Sequence, residues 1–222
     1  MELKVIAHIH TDFPQKFGIP RQSGLVPVTG RIVFEPEYRI ADALKGIEGY
    51  SHLWLIWQFS ENPQKEWSPT VRPPRLGGNK RMGVFATRSP FRPNSIGLSS
   101  VELIKTEHDE KYGTVLVVRG ADMVDKTPIF DIKPYLAYTD SHQDASGGFA
   151  DDVYGCLLKA EIPESVMEKI PPEHRENIVA MLENDPRPSY HSDPTRVYGM
   201  SYAGMEIKFT VKDSVLTVCS IE

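Results

Sequence analysis

Apolar and polar residues alternate from the start of the chain. Over residues 3–11, Val5, Ala7 and Ile9 fall on one side and Lys4, His8 and His10 on the other, the period-two signature of a strand with one buried face. Pro14, Gly18, Pro20 and Gly24 then break residues 12–24 into a loop, and residues 25–34 read as a second strand. Between 38 and 47 the spacing changes. Ile40, Ala43, Leu44 and Ile47 recur at helical intervals, which predicts a helix closed by Gly46 and Gly49. The run SHLWLIWQF at 51–59 is short, continuous and aromatic, and predicts a buried strand. Residues 61–82 hold four prolines and an adjacent glycine pair, too broken for regular structure and too stiff for a floppy linker. Further strands are expected over 83–87, 96–105 and 114–119, with a turn at 108–113, a brief pairing at 129–132 and another strand at 157–162.

Beyond Pro163 the pattern becomes mixed. Pro172 suits the first position of a helix running to about Asn184, with Ile178, Val179, Met181 and Leu182 as its apolar side. Strand-like stretches follow at 196–202, 205–212 and 214–221, the last two joined by a tight turn at Asp213 and Ser214. Ser, Gly and Asp accumulate between 140 and 154. The expectation is a mainly β chain: a β-domain over 1–145 and a small α+β domain over 155–222.

Composition narrows the class. The chain has 222 residues, 40% of them hydrophobic and 25% charged, as a globular protein does. No apolar stretch is long enough to span a bilayer, and no secretory leader is recognised, so no membrane association is expected. Two distant cysteines, Cys156 and Cys219, suggest a reducing compartment, hence cytoplasm, and no structural metal. The net charge of -5 hides an island. Lys65, Arg72, Arg75, Lys80, Arg81, Arg88 and Arg92 face Glu66 as the sole acid between 65 and 94, a local balance of seven minus one. Such an island is either a solvated basic loop or a phosphate or carboxylate site.

Most candidate chemistry fails on spacing. His8 and His10 form an HxH pair without a third ligand, which a half-exposed strand face explains better than a metal. Ser51 and His52 lack a nucleophile elbow, and no GxGxxG follows a strand, so neither a hydrolase nor a Rossmann cofactor site is supported. The stretch PTVRPPRLGGNKRMGVFATRSPFRPNSIGLS at 69–99 is different. Prolines restrict the backbone that presents its arginines, guanidinium groups grip carboxylates and phosphates in pairs, and Gly77 and Gly78 permit close backbone approach. Physical reasoning alone reaches a preorganised anion or nucleotide site.

Residues 72–99, with PRQSGL (20–25), GIEGYSHLWLIWQF (46–59), ADMVDKTPIFDIKPYL (121–136) and DPRPSY (185–190), resemble the TsaA-like domain family, whose bacterial members are tRNA methyltransferases of the TrmO type. The five motifs stand in the family's order and cover nearly the whole chain. The resemblance implies a non-Rossmann β-barrel with a small C-terminal domain that contacts tRNA, working as a homodimer without metal. It implies methylation of N6 of N6-threonylcarbamoyladenosine, beside the anticodon of threonine tRNA, with S-adenosylmethionine as donor. Carried over by position, the cofactor contacts fall on Arg21, Gln22, Ser23, Ser60, Glu61, Arg88, Leu98, Asp122, Met123, Val124 and Asp125. The chain departs from the family's pattern in three places. Ser60 stands where many members have histidine, Ser95 where proline is common, and Lys126 where glycine is common; lysine resists the positive φ such a turn requires.

Methyl transfer to N6 benefits from a base, for which Asp122, Asp125, Asp185 and Tyr190 are candidates. The substrate's threonyl carboxylate is an anion that Arg72, Arg75, Arg92 or Arg187 would clamp. Two other readings stay open: a non-catalytic RNA or nucleotide sensor on the same scaffold, and a TsaA-like methyltransferase acting on a small molecule.

Overall fold

The computed structural model describes residues 2–61, 67–76, 80–187 and 193–222. Six strands close into a barrel: β1 (Ala7–Thr11), β2 (Thr29–Phe34), β3 (His52–Gln58), β6 (Ile96–Asp109), β7 (Gly113–Arg119) and β8 (Thr127–Pro134), in the cyclic order β1-β2-β7-β6-β3-β8. Every ladder is antiparallel, and closure leaves the barrel without a free edge. Two short strands, β4 (Thr70–Val71) and β5 (Met82–Gly83), pair only with each other.

Alternation decides what fills the barrel. Ala7 and Ile9 of β1 are fully buried, as their period-two spacing requires. In β3, Leu53, Leu55 and Trp57 point inward, whereas Trp54 and Ile56 are half-buried and His52 and Gln58 exposed. The aromatic run is therefore one-sided, not buried on both faces. Val101, Leu116, Val118, Ala121, Met123 and Ile129 complete the core. The segment expected to pair briefly at 129–132 is a full barrel strand, lying between β1 and β3.

Other expectations change. Residues 38–47 form no α-helix. The stretch is a succession of 3-10 turns, Pro36–Tyr38, Ala41–Leu44 and Ile47–Gly49, interrupted by extended backbone at Ile40 and Lys45 and by Gly46 at φ 87°. Tyr38, Leu44 and Ile47 pack on the barrel core while Ile40 stays exposed, so a chain wrapping a curved surface reproduces helical spacing without a helix. Of residues 83–87 only Gly83 is in a strand, as the last residue of β5. After β5 the chain turns through Val84–Ala86, closed by the Thr87 hydroxyl on the Val84 carbonyl at 2.8 Å.

After α1 (Ala137–Asp140) the C-terminal part packs α2 (Glu164–Met167) and α3 (Pro172–Glu183) against a sheet ordered β10-β11-β12-β9. Its strands are β9 (Lys159–Glu161), β10 (Tyr198–Tyr202), β11 (Met205–Lys212) and β12 (Val215–Ile221), with β9 parallel to β12. Pro172 opens α3, and Ile178, Met181 and Leu182 are buried. Asp213 and Ser214 both have positive φ, the geometry of a two-residue hairpin turn.

The core under this sheet is not made of C-terminal residues alone. Phe13, Val26 and Val28 are buried in it, and Phe17 and Ile19 pack on it. The chain leaves β1, crosses into the second core, and returns to begin β2. The strand expected over 25–34 is consequently split: Val26 and Val28 serve the second core, and barrel pairing starts at Thr29. The crossing is tight at Gly18, where a Cβ would come within 2.3 Å of Met200. It is also bonded there, by the Ala203 amide on the Asp12 carbonyl at 3.0 Å and by the Phe13 ring 5.2 Å from that of Tyr202.

Candidate functional site

The span 12–28 is pinned to the barrel at Gly120. The Gly24 amide donates to the Gly120 carbonyl at 3.0 Å, and the Gly120 amide to the Val28 carbonyl at 2.8 Å. Gly120 has φ 85°, and a Cβ on it would stand 3.0 Å from the Gly24 nitrogen, so a side chain there would push the span away. Three consecutive residues of the pinned loop then reach three different segments. Arg21 donates from Nη2 to the carbonyls of Asp185 and Arg187, at 2.9 and 2.7 Å. Gln22 accepts a hydrogen bond from Arg88 on Oε1. The Ser23 amide bonds the Asp122 carboxylate.

Asp122 is the centre of this convergence. Ala121 and Met123 on either side of it are buried in the barrel core, so alternation turns the Asp122 side chain toward β6 and the loop. Ser99 donates its hydroxyl to Asp122 Oδ1 at 2.6 Å, and the Trp57 indole donates to the same Ser99 oxygen at 2.9 Å. Trp57 lies flat over Gly97, its register partner, where a Cβ would come within 2.3–2.6 Å of three indole carbons. Burial pushes the Asp122 carboxyl up to about 6, against the opposing pull of the Ser99 hydroxyl, its own amide, the Arg88 guanidinium and the Ser23 amide. A carboxyl withdrawn from water yet supplied with donors on several sides is poised to change protonation near neutrality.

The structure thus brings Gln22, Ser23, Arg88 and Asp122 together. Ser60 and Glu61 lie at the end of β3, tied to the span by Lys16, whose Nζ donates to the Glu61 carbonyl at 2.5 Å. Met123 and Val124 contribute backbone: the Thr11 hydroxyl donates to the Met123 carbonyl, and the Thr127 hydroxyl to that of Val124. Leu98 is placed elsewhere. It lies between the inward-facing Gly97 and Ser99, so its side chain points out of the barrel and is 56% exposed.

The remaining carboxylates are engaged. Asp125 Oδ1 accepts from the Thr11 amide and meets His10 Nδ1, each at 3.2 Å, which closes the end of β1. Asp185, held at φ 49°, grips the Arg187 guanidinium with both oxygens at 2.8 and 3.0 Å. That pairing raises the Arg187 pKa and leaves its side chain 14% exposed. Tyr190, Gly77, Gly78, Lys65 and the Arg75 side chain lie outside the described residues. Arg92 folds back onto the Thr87 and Ser89 carbonyls, whereas Arg72 is exposed. His8 Nδ1 pairs with Glu35 at 2.7 Å, and among the described residues no group of His, Cys, Asp or Glu is arranged to hold a metal.

Sequence reasoning missed Trp57, Gly97, Ser99 and Gly120. A signal for Ser99 existed: with β6 aligned by its alternation, Gly97, Ser99 and Val101 share the inward face, and a hydroxyl there needs a buried partner. Pairing Trp57 with that hydroxyl requires the register, which only the fold supplies.

The chain matches two family models, the tRNA-methyltransferase O N-terminal domain over residues 8–141 and the TrmO C-terminal domain over residues 158–222. It is 39% identical to the tRNA (adenine(37)-N6)-methyltransferase of Escherichia coli K12, an alignment covering 100% of this chain and 97% of that protein. It is 44% identical to the enzyme of the same name from Eikenella corrodens, over 76% of this chain and 95% of that one. The crystal structure of TrmO from Pseudomonas aeruginosa superposes with a TM-score of 0.81 at 30% identity, covering 100% of this chain and 96% of that one. With both family models matched in order on one barrel and its companion sheet, the chain belongs to the tRNA-methyltransferase O family.

Proposed function

We infer that the protein transfers a methyl group from S-adenosylmethionine to N6 of adenosine 37 in tRNA, its substrate being the N6-threonylcarbamoyl form carried by threonine tRNA. The observation that carries the reading is the meeting of Gln22, Ser23, Arg88 and Asp122 from three separate segments beside the mouth of a family barrel. That donor set fits a ligand bearing both signs of charge. Asp122 suits the cationic or hydroxyl parts of S-adenosylmethionine, the exposed Arg88 its carboxylate, and the Ser23 backbone its hydrogen-bonding edge. Bound there, the cofactor supplies an electrophilic methyl group on a positively charged sulfur.

The chain's own residues hold the reactants in line, and orientation of this kind supplies about 7–11 kcal/mol of the barrier in favourable cases. Arg72, exposed on the basic island, suits the threonyl carboxylate and the tRNA backbone. Lys126, standing where the family pattern commonly has glycine, adopts a left-handed turn at φ 63°, so this departure does not unmake the bend that carries Asp122. The two domains, 1–145 and 155–222, divide the work between cofactor and tRNA. The protein acts as a homodimer in the cytoplasm; the outward Phe85, Phe91 and Leu98 supply apolar surface for pairing.

The test is incubation with labelled S-adenosylmethionine and tRNA prepared with or without the threonylcarbamoyl group, followed by digestion to nucleosides. Label on N6 of the threonylcarbamoylated nucleoside alone is expected. Label on unmodified tRNA to an equal extent, or none on either, overturns the assignment.

A further inference from the structure

Of the four acidic or phenolic candidates for handling the N6 proton, the three carboxylates lie among the described residues, and the structure separates those three. Asp125 closes the end of β1 with His10 and the Thr11 amide, and Asp185 is consumed by Arg187. Asp122 is held differently. Its Oδ1 is fixed by the Ser99 hydroxyl, whose own oxygen is fixed by the Trp57 indole. An indole N–H only donates, so the Ser99 oxygen must accept from it and its proton must point at Asp122. The chain of donors has one direction, and its terminus is a carboxylate aimed at the loop that carries Gln22 and Ser23. The residue is partly exposed while its carboxyl is largely withdrawn from water, the situation of a group that meets a ligand rather than bulk solvent.

Resting on the tRNA-methylation reading above, we propose that Asp122 is the proton acceptor for N6 and that Trp57 and Ser99 are positioning residues that aim its carboxylate. As N6 bonds the methyl carbon, the sulfur keeps the electron pair of the broken S–C bond and the N6 proton passes to Asp122 Oδ2, the oxygen that Ser99 does not bond. The sulfonium becomes a neutral thioether, the carboxylate becomes a carboxylic acid, and the proton then leaves to water. No further reactant is needed. Burial makes the carboxyl basic enough to accept a proton, and the Ser99 hydroxyl keeps it ionised enough to be ready. Among the described residues, the groups around it are few. Arg88 faces it from the loop after β5; Trp57 and Ser99 on β3 and β6 are uncharged; Ser23 contributes an amide, and Arg21 is turned to 185–187. On its own bend, Asp125 is taken by His10.

The experiment has two arms on the full-length protein. In the first, the indole N–H resonances of the protein alone are followed against pH. The Trp57 signal should titrate with a midpoint near 6 in the wild type and lose that step in Asp122→Asn. The Trp54 indole, which donates to Asp140 at 2.8 Å, serves as an internal control, because amide and indole donors hold Asp140 below the usual carboxylate range. In the second, single-turnover methylation is measured at saturating S-adenosylmethionine, with cofactor affinity determined by calorimetry. Asp122→Asn should lower the rate by about 10²–10⁴-fold at saturating cofactor, beyond whatever loss of cofactor affinity the calorimetry records. Ser99→Ala should move the acid limb of the rate profile to higher pH, because the bond that favours the carboxylate is gone. An Asp122→Asn enzyme that turns over at the wild-type rate once saturated with cofactor, or a Trp57 resonance without a step near 6, overturns the proposal. Wild-type protein that fails to methylate the modified tRNA condemns the functional reading instead, and the indole titration still reports on the Trp57–Ser99–Asp122 chain.

Discussion

Gly97→Ala tests the geometry on which the site rests. The new Cβ would stand 2.3, 2.5 and 2.6 Å from Cε2, Cζ2 and Cδ2 of Trp57, against 3.4 Å for ordinary contact. The ring must retreat by roughly 1 Å, and it has little room, being nearly buried with Phe59 edge-on at 4.4 Å. Overpacking of this kind costs about 1–3 kcal/mol. A retreat also stretches the 2.9 Å bond to Ser99, worth about 0.5–1.5 kcal/mol. Alanine recovers about 0.5–1 kcal/mol because its unfolded chain is less free than that of glycine. The net loss is about 0.5–4 kcal/mol, equivalent to a fall in Tm of about 1–16 °C for a chain of this size. Calorimetry measures the fall, and the indole spectrum reports the ring. Trp57→Phe in the same background should restore most of the stability, since a smaller ring clears the methyl, but not the pH-dependent signal. A Gly97→Ala protein with unchanged Tm and an unshifted Trp57 resonance would refute the close approach on which this account of the site depends.

Lys126→Gly should stabilise the protein by about 0.5–1 kcal/mol, because lysine at φ 63° carries steric strain that outweighs the entropy glycine loses; a lower Tm would mean that the lysine side chain makes a stabilising contact. Arg21→Ala should release the loop at 185–187 and raise KM for tRNA about tenfold, equivalent to about 1.4 kcal/mol, while cofactor affinity holds; weakened cofactor binding with unchanged tRNA KM would return Arg21 to the cofactor site. Asp122→Asn should raise stability at pH 7.5 by up to about 3 kcal/mol. The folded protein raises this carboxyl from 3.8 to about 6, so the native state binds the extra proton between those values, and the wild type loses stability as pH rises through 6. The gain in Asn should therefore shrink toward pH 4, and a gain independent of pH would exclude a titrating Asp122 as its cause.

How much was legible can be argued residue by residue. Hairpins and long strands were, because a period of two is imposed by the backbone: Ala7 and Ile9, the β11–β12 turn at Asp213 and Ser214, and the helix opened by Pro172 all follow from local rules. Curvature was not. Ile40, Ala43, Leu44 and Ile47 keep helical spacing while riding 3-10 turns around the barrel. Val26 and Val28 were legible as buried but not as buried in the other core, because apolarity does not say which interior receives it. At the site, resemblance indicated Gln22, Ser23, Arg88 and Asp122, but physical reasoning from sequence reached only an arginine-rich anion site. The partners that define Asp122 depend on the pairing of β3 with β6, a relation across about 40 residues that no local pattern encodes. Arg187 shows a related limit: two flanking prolines suggest presentation, and the pairing with Asp185 is not legible from them.

The crossing at 12–28 has a consequence for how the molecule comes apart. Phe13, Val26 and Val28 are as much a part of the C-terminal interior as α3 is, although they are made before most of the barrel. A chain severed after the barrel would expose these side chains to water, and the severed remainder would lack them. The halves are therefore expected to melt in one cooperative step rather than as two modules. Arg21, Gln22 and Ser23 ride on the same crossing, so any sliding of one half over the other pulls on the bonds that Gln22 and Ser23 make to Arg88 and Asp122. Under the proposed division of work, in which the C-terminal half meets the tRNA, a pull on that half would be felt at Asp122.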